Sequence, residues 1–497
     1  MCGIAGVFQQ PANQTVQKMV SRIAHRGPDG QGVVDVSNGT FGHTRLAILD
    51  VEGGHQPMDF RETSIVFNGE IYNYRELKRR YLPTLRMKTH SDTEVLLHLY
   101  RKFGPKFVVF LDGMFAFAIQ HRGEMLLARD PIGIKPLYYG TDTDGKHFFF
   151  ASEIKALVGQ VESIKEFPAG YWYHSRLGWH KYYQLEETID PFQGTPIDAL
   201  PAIKSTLRKA VHKRLLADVP VGVSLSGGLD SSIVTALARE ETEQLHSFAV
   251  GVDGSADLAA AQRMSRYLDT IHHEYVYTAQ EMLHALPDVL YYLESFDPAL
   301  VRSAIPNYFL AKLASEHVKV MLTGEGADEI YAGYDYLARF EESEELQNEM
   351  LHITNALHNT NLQRADRMSM AFGLEARVPF LDVQSIALAM GIPADWKLHH
   401  EQPPKALLRK AFADDLPEEI VNRPKQKFSS GAGSSDFITQ YADTEISDQD
   451  FLSERRRLKE EWDYILQNKE ALYYYRILRG FYADEWILPG MGNSRSL

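Results

Sequence analysis

The stretch VPVGVSLSGGLDSS, residues 219–232, decides the fold of the second half of the chain. It runs from an apolar strand into the turn Ser226-Gly227-Gly228 and then into a helix. Backbone N–H groups at such a helix start lack partners and bind anions, and two glycines let a phosphate approach closely. The stretch therefore predicts a phosphate site. It is not a Walker A loop, which needs Gly-x-x-x-x-Gly-Lys followed by Ser or Thr.

Around this stretch, helical patterns alternate with short apolar strands from residue 203 to residue 322. Alternation of this kind predicts an α/β domain with a parallel sheet flanked by helices. From about residue 336 to the end, the pattern is mainly helical. We expect a helical C-terminal part.

The first part of the chain has short β-rich runs separated by turn residues, such as 63–67 and 114–120. This pattern predicts an α+β domain with antiparallel sheets and helices. Ser91-Asp92-Thr93-Glu94 fits a capping box at a helix start. The proline-containing polar stretch 188–201 is interpreted as a linker. We therefore expect domains at 1–187 and 202–497.

Composition excludes several classes of protein. The 497 residues exceed the roughly 250–300 that one core serves, so two domains are expected. A net charge of −14 without clustered Lys and Arg argues against nucleic acid. No apolar run approaches the roughly 20 residues that span a bilayer, so a cytoplasmic protein without a membrane partner is expected. One cysteine, Cys2, excludes an internal disulfide and a cysteine-rich metal site.

Cys2 becomes the N-terminal residue once Met1 is removed, and its thiol and α-amine then belong to one residue. An α-amine has a pKa of roughly 7.7–8.0, so it can take the thiol proton during attack on a carbonyl carbon. The alternative interpretation is a small buried cysteine near a chain end. Neighbouring motifs favour the nucleophile.

Five further segments occur in order with this cysteine. Together they resemble the class II glutamine amidotransferase domain, which implies an Ntn-hydrolase type of fold. The segments are His25-Arg26-Gly27-Pro28-Asp29-Gly30, His43-Thr44-Arg45-Leu46, Phe67-Asn68-Gly69-Glu70-Ile71-Tyr72-Asn73, Ser91-Asp92-Thr93-Glu94 and Asp130-Pro131-Ile132-Gly133.

The resemblance implies a role for each residue of a glutamine site. Arg45 would pair with the α-carboxylate of glutamine, and Asp92 would hold its α-ammonium. Asn68 and the N–H of Gly69 would face the developing oxyanion. Glu70 would assist glutamine binding. Active glutaminase chemistry through a thioester on Cys2 is expected.

The string Ser226-Gly227-Gly228-Leu229-Asp230-Ser231-Ser232 resembles the pyrophosphate loop of ATP pyrophosphatases, which form adenylates. The resemblance implies ATP as a substrate, with contacts from Leu225, Ser226, Gly227, Gly228, Leu229, Asp230, Ser231, Ser232, Val250, Gly324 and Glu325.

A second acidic turn, Thr323-Gly324-Glu325-Gly326-Ala327-Asp328-Glu329, follows an apolar strand at the sheet edge where α/β ligands bind. Carboxylates beside polyphosphate usually hold Mg²⁺, so Asp230 and Asp328 are the metal candidates. The alternative is that both acids only complement helix dipoles.

Nearly the whole chain resembles the glutamine-hydrolysing asparagine synthetase family. Two further segments carry this resemblance, Ala371-Phe372-Gly373-Leu374-Glu375-Ala376-Arg377-Val378-Pro379-Phe380-Leu381-Asp382 and Asn422-Arg423-Pro424-Lys425-Gln426-Lys427-Phe428-Ser429. It implies that Lys425 neutralises charge on pyrophosphate or the adenylate and that Glu325 acts as base for ammonia. The implied small-molecule partners are glutamine, aspartate and ATP. Ammonia would cross between the sites through an apolar passage. A homodimer through the first domain is compatible with the resemblance.

The acceptor region departs from the family. Where relatives carry a threonine pair before an arginine, this chain has Phe296-Asp297-Pro298-Ala299-Leu300-Val301-Arg302-Ser303. The loss of hydroxyls leaves room for another carboxylate acceptor. Alternatives are therefore an amidotransferase acting on a different carboxylate, a ring-closing relative such as β-lactam synthetase, and a non-catalytic glutamine and ATP sensor.

Two histidine pairs, His272-His273 and His399-His400, lack the spacing that places two metal ligands on one helix face. We interpret them as ordinary surface or strand residues and predict no zinc site.

Overall fold

The computed structural model describes residues 2–398, 402–424, 435–482, 487 and 491. The first part of the chain forms two six-stranded antiparallel sheets, as the β-rich pattern predicted. The strands are β1 Cys2–Phe8, β2 Gly30–Val36, β3 Gly39–Arg45, β4 Met58–Phe60, β5 Thr63–Ile71, β6 Gly113–His121, β7 Glu124–Arg129, β8 Tyr138–Thr141, β9 Phe148–Ala151, β10 Lys165–Glu166, β11 Tyr171–His174 and β12 Gly178–Lys181. The helices are α1 Asn13–Arg22, α2 Tyr74–Tyr81, α3 Asp92–Phe103 and α4 Ile154–Leu157.

The two sheets have the strand orders β10-β8-β9-β1-β3-β2 and β12-β11-β7-β6-β5-β4. All seven residues of β1 are buried, and β5 is nearly as enclosed. β1 pairs with β3 so that Cys2 lies opposite Arg45. Strands β1, β3 and β5 therefore carry Cys2, Arg45, Asn68, Gly69 and Glu70, whereas Asp92 begins helix α3.

The second part contains a five-stranded parallel sheet of order β15-β14-β13-β16-β17. Its strands are β13 Val221–Ser224, β14 His246–Gly251, β15 Ile271–Val276, β16 Val320–Leu322 and β17 Glu375–Arg377. Its helices are α5 Pro196–Arg214, α6 Leu229–Arg239, α7 Ala256–Leu268, α8 Ala279–Leu293, α9 Pro298–Ser315, α10 Ala327–Ile330, α11 Ser343–Asn355, α12 Asn361–Met370, α13 Val383–Gly391, α14 Ala394–Lys397, α15 Ala406–Ala411, α16 Glu418–Val421, α17 Ser435–Glu445, α18 Asp448–Trp462 and α19 Lys469–Arg479. The α/β expectation and the helical C-terminal part are confirmed.

Two local expectations need correction. The stretch interpreted as a linker is partly helical, because α5 begins at Pro196 behind a capping box made by Thr195 and Asp198. Ser91 does cap α3 through the N–H of Thr93. Glu94 does not complete a box, since its carboxylate accepts from the N–H groups of Lys88 and Thr89 in the preceding loop.

The cores of the two parts are continuous. One cluster of buried apolar residues contains Leu46, Ile48 and Met114 together with Val223 and Leu225 of the parallel sheet. A second cluster joins strand β1 and helix α1 to helices α8 and α9. The two parts of the chain are therefore held together by shared apolar packing. Among the described residues, no helix combines the length and hydropathy needed to cross a bilayer.

Candidate active sites

The first site lies where Cys2 of β1 meets Asn68 of β5. The backbone N of Cys2 is 3.1 Å from Asn68 Oδ1. The other amide atom, Asn68 Nδ2, is buried and has no hydrogen-bond partner among the residues the structure describes. A buried N–H donor left open beside a thiol is placed to receive an oxyanion.

Gly69 continues this arrangement. Its φ is +153°, and a Cβ there would lie 2.0 Å from the carbonyl oxygen of Met114. Only glycine fits, because both the backbone angle and the neighbouring strand exclude a side chain. Its backbone thus remains accessible next to the Asn68 amide.

The Cys2 thiol is buried, and desolvation raises its pKa above the ordinary value, as do the carboxylates of Glu375 and Glu70. The Sγ atom lies 3.9 Å from the carbonyl oxygen of Leu46. A buried thiol with a raised pKa needs a base when it attacks, and the adjacent α-amine can supply one.

Arg45 and Asp92 flank the site as buried charges. The Arg45 guanidinium donates to the carbonyl oxygens of Val51 and Asp50 at 2.8 and 2.7 Å. Asp92 accepts from the N–H of Ile71 at 3.0 Å, and burial raises its pKa to about 6. Both side chains are fixed by backbone contacts. This fixation is what precise recognition of an amino acid requires.

Glu70 faces the second part of the chain. Its Oε1 atom is 3.7 Å from Arg377 Nη2 in β17, and burial followed by the charge of Glu375 raises its pKa. Arg377 also donates to Glu375 and to carbonyl oxygens of Arg214 and Leu216. The 371–382 motif thus packs against the glutamine site.

The second site is a cavity of about 740 Å³ at the carboxyl ends of β13, β14 and β16. It is within the range of nucleotide-sized pockets. Of the predicted ATP residues, the lining contains Leu225, Ser226, Gly228, Leu229, Asp230, Ser231, Val250, Gly324 and Glu325. Two predicted residues lie behind the lining. Gly227 has φ +67° and packs against Ala260, and Ser232 is fully buried.

The turn before α6 is held by its own serine hydroxyls, since the N–H groups of Ser226 and Gly228 donate to Ser231 Oγ and Ser226 Oγ. Gly228 is the N-cap residue and provides no side-chain cap. Ser226 Oγ and Ser231 Oγ are 3.1 Å apart and hold the turn, while Ser231 Oγ donates to the carbonyl oxygen of Gly228. Arg423, which also lines the cavity, donates to the carbonyl oxygen of Ser226 and to Asp257 and so fixes the loop. The open helix start is an anion site.

Asp230 and Asp328, the two metal candidates, both contact one lysine. Lys405 Nζ lies between them, 2.5 Å from Asp230 Oδ2 and 2.6 Å from Asp328 Oδ1. Asp230 Oδ1 is buried and has no hydrogen-bond partner among the described residues. The lysine shows that a cation is stabilised at this position.

Lys405 was missed by sequence reasoning. Its φ of +64° is unusual for a residue with a side chain and often marks a functional site. The only sequence signal is the preceding Pro403-Pro404 turn.

Glu325 lies at the opposite side of the turn and pairs with Arg364 of α12, with Arg364 Nη2 at 2.5 Å from Glu325 Oε1. Arg364 and the buried Glu329 were also missed. Burial and Asp328 raise the pKa of Glu329 to about 7. Lys425 lies outside the described residues.

Arg302 of the altered acceptor segment lines the cavity and pairs with Glu470 of α19 at 2.5 Å. Asp297, in the same segment, caps α9 through the N–H of Leu300. The segment therefore shapes one wall of the cavity and fixes its arginine by a carboxylate from the C-terminal part.

Comparison with known proteins matches the two parts of the chain to two different families. The model of the family described as "Glutamine amidotransferase domain" matches residues 1–171, and that described as "Asparagine synthase" matches residues 202–348 and 338–485. The fold and the two sites define an ATP-dependent ligase with a glutamine amidotransferase domain.

Similar proteins narrow the class further. Three plant relatives carry the name asparagine synthetase, glutamine-hydrolysing. That of Asparagus officinalis is 38% identical over 99% of this chain and 88% of its own length. That of Sandersonia aurantiaca is 38% identical over 97% and 96%, respectively, and number 1 of Arabidopsis thaliana is 37% identical over 96% and 86%. The chain belongs to the glutamine-hydrolysing asparagine synthetase family.

Proposed function

We propose that this protein makes asparagine from aspartate, with ATP activating the β-carboxylate and glutamine supplying ammonia. The proposal rests on the presence of two sites in one chain. The first has the buried Cys2 next to the Asn68 amide, whose N–H donor has no partner among the described residues. The second is the cavity of about 740 Å³, and a continuous apolar core connects the two parts of the chain. The domain boundaries proposed are 1–187 and 202–497, joined by residues 188–201.

In the first site, Arg45 and Asp92 grip the carboxylate and ammonium of glutamine. The Cys2 thiol attacks the side-chain amide carbon, and the Cys2 α-amine takes the thiol proton. Asn68 Nδ2 and the N–H of Gly69 stabilise the oxyanion. The Cys2 α-ammonium then gives this proton to the amide nitrogen, the C–N bond breaks and ammonia leaves, and water hydrolyses the thioester to glutamate and the free thiol. Glu70 supports binding from the side of Arg377.

In the second site, an oxygen of the aspartate β-carboxylate attacks the α-phosphorus of ATP and pyrophosphate leaves. The N–H groups at the start of α6 hold the departing phosphates. Ammonia then attacks the acyl carbon, AMP leaves, and Glu325 takes the released proton. Lys425 is proposed to neutralise charge on pyrophosphate or the adenylate.

Mg²⁺ fits the pair of carboxylates. Asp230 Oδ2 and Asp328 Oδ1 both contact the Lys405 ammonium, and the second oxygen of Asp230, Oδ1, is buried without a partner among the described residues. These two residues would hold the ion together with phosphate oxygens, where its charge offsets that of the polyphosphate. Lys405 contributes a fixed positive charge between the same two carboxylates, so Mg²⁺ would use the oxygens that the ammonium does not contact.

Ammonia must move unprotonated, because ammonium has no lone pair. The apolar cluster that joins Leu46, Ile48 and Met114 to Val223 and Leu225 supports an apolar route between the domains. Buried ion pairs lie beside this apolar cluster. Glu375 and Arg377 are one such pair.

The acceptor is tested by measuring AMP formation with ATP, Mg²⁺ and glutamine against a panel of carboxylates, following asparagine and glutamate in parallel. Aspartate-dependent AMP with equal asparagine supports the proposal. Glutamate release without a response to aspartate would favour an amidotransferase for another carboxylate. Nucleotide binding without any AMP would favour a sensor.

Cys2→Ala provides the control. It is expected to abolish glutamine-dependent synthesis while leaving aspartate-dependent adenylation intact, since the two sites are chemically separate. Mass spectrometry of the purified protein tests whether Met1 is removed.

A homodimer, a cytoplasmic location and the absence of a nucleic-acid or membrane partner remain predictions. Light scattering tests the first and cell fractionation the second. Gel-shift and vesicle-flotation assays test the third.

A further inference from the structure

Three histidines from separate segments meet at the amino-terminal edge of the parallel sheet. His246 begins β14, His273 lies in β15, and His317 follows α9. One ligand nitrogen from each ring can be chosen so that all lie within 4.8 Å of one another. His246 Nδ1 and His273 Nε2 are 3.0 Å apart, and the ring centroids of His273 and His317 are 3.8 Å apart.

This spacing suits metal coordination. A tetrahedral zinc site with Zn–N bonds of about 2.0–2.1 Å places its nitrogens roughly 3.4 Å apart. The nitrogens of His246 and His273 are slightly closer than this, at 3.0 Å, and all three ligand nitrogens lie within 4.8 Å of one another, so modest ring rotations bring them to this spacing. His317 is the exposed member of the three, so its ring can turn toward the other two with little cost.

The surroundings favour a metal over an ordinary ion pair. In the part of the chain that the structure describes, no hydrogen bond or ion pair joins any of the three rings to a carboxylate, whereas the adjacent His272 bonds Glu274 and Ser247. The ring of Phe248 stacks on His273 at 5.1 Å and provides an apolar wall. Such a shell limits water access around a bound ion.

We propose that His246, His273 and His317 bind one zinc-class divalent transition-metal ion, with the fourth position taken by water. Imidazole ligands suit Zn²⁺ and exclude Mg²⁺ and Ca²⁺, which prefer oxygen. No local sequence pattern predicts this site, because its three ligands come from three separate segments.

The site lies away from the nucleotide cavity. His246 is the first residue of β14, and Val250, four residues later and about 13 Å along the strand, lines the nucleotide cavity. The ion would tie the segment after α9 to two strands of the sheet. The other end of α9 carries Arg302 in the cavity wall, so the ion would fix the helix that shapes the acceptor side.

The test uses the untagged full-length protein, because a histidine tag would itself bind metal. After chelation and dialysis, Co²⁺ is titrated in and its visible absorption recorded, followed by competition with Zn²⁺ and metal analysis. One equivalent per chain with the spectrum of tetrahedral Co²⁺ is expected. His317→Ala should lower the zinc affinity at least tenfold, and His273→Ala should remove the spectrum.

His272→Ala is the matched control. His272 directly precedes His273 in β15, and neighbouring side chains of a strand point to opposite faces of the sheet. It should retain both the stoichiometry and the spectrum. The thermal midpoint of wild-type protein should rise with zinc, and that of His317→Ala should match wild type in chelator. Equal zinc affinity in wild type and His317→Ala would overturn the proposal, as would an equal loss in His272→Ala.

Discussion

Arg26 of the first domain donates two hydrogen bonds to the carboxylate of Asp366 in helix α12 of the second, at 2.8 and 3.2 Å. The same guanidinium donates to the carbonyl oxygen of Cys2 at 3.1 Å and to Glu153 at 2.7 Å. Burial opposes the charge of Asp366, but Arg26 and Lys135 hold its pKa below the ordinary value. One buried ion pair thus connects the nucleophile strand to the synthetase domain.

Asp366→Ala should destabilise the protein by about 3–5 kcal/mol, because it leaves the Arg26 guanidinium buried without its main partner. Chemical denaturation measures this change. We also expect glutamate release to exceed asparagine formation. The exposed pair Arg122 and Glu62 is the control, since Glu62→Ala should leave the unfolding curve unchanged. Equal curves for Asp366→Ala and wild type would contradict this role.

Asn68→Ala should lower kcat for glutamine hydrolysis about 10²–10³-fold with little change in KM, because it removes an oxyanion donor. Steady-state glutamate release measures both constants. Asn38→Ala is the control and should behave as wild type. Asn38 lies in the turn between β2 and β3, where its side-chain amide donates to the carbonyl oxygen of Gly123 and has no role in the proposed site. A raised KM with unchanged kcat would instead assign Asn68 to binding.

Glutamine use should weaken in mild acid. Asp92 must be ionised to hold the α-ammonium, and its pKa of about 6 means that at pH 5 about one-tenth of the enzyme is competent, so kcat/KM falls about tenfold. The sign follows from the raised pKa, since protonation increases as the pH falls through 6. A pH profile of glutamate release measures it. Asp92→Asn should flatten this part of the profile at a low value, and an unchanged profile would contradict the assignment.

Lys405→Met should lower AMP formation at least about 10²-fold, since Asp230 and Asp328 would then face the ATP phosphates without a fixed cation. Glutaminase activity measured without ATP should persist. Lys410→Met, which removes an exposed ammonium that contacts Gln402, is the control. Loss of both activities in Lys405→Met would indicate a folding defect instead.

Much of both sites was predictable because their chemistry lies in short contiguous segments. The strand, turn and helix at 221–239 follow from apolar periodicity and glycine positions, whereas Asn68 and Gly69 lie within strand β5 rather than in the turn that an Asn-Gly pair usually signals. The Ser91 cap was predicted as well. The Ser-x-x-Glu pattern also predicted that Glu94 would complete a capping box, but its carboxylate accepts from Lys88 and Thr89 in the preceding loop instead.

By itself, the sequence determined the two fold classes through backbone periodicity, and its motifs carried the resemblance to the family and nine of the residues that line the cavity. The tertiary structure decided which charges meet. Arg26 and Asp366 lie 340 residues apart, Lys405 reaches Asp230 across 175, and three histidines converge from different segments. Such contacts depend on how helices and sheets pack against one another, and no local pattern in a single sequence encodes that packing.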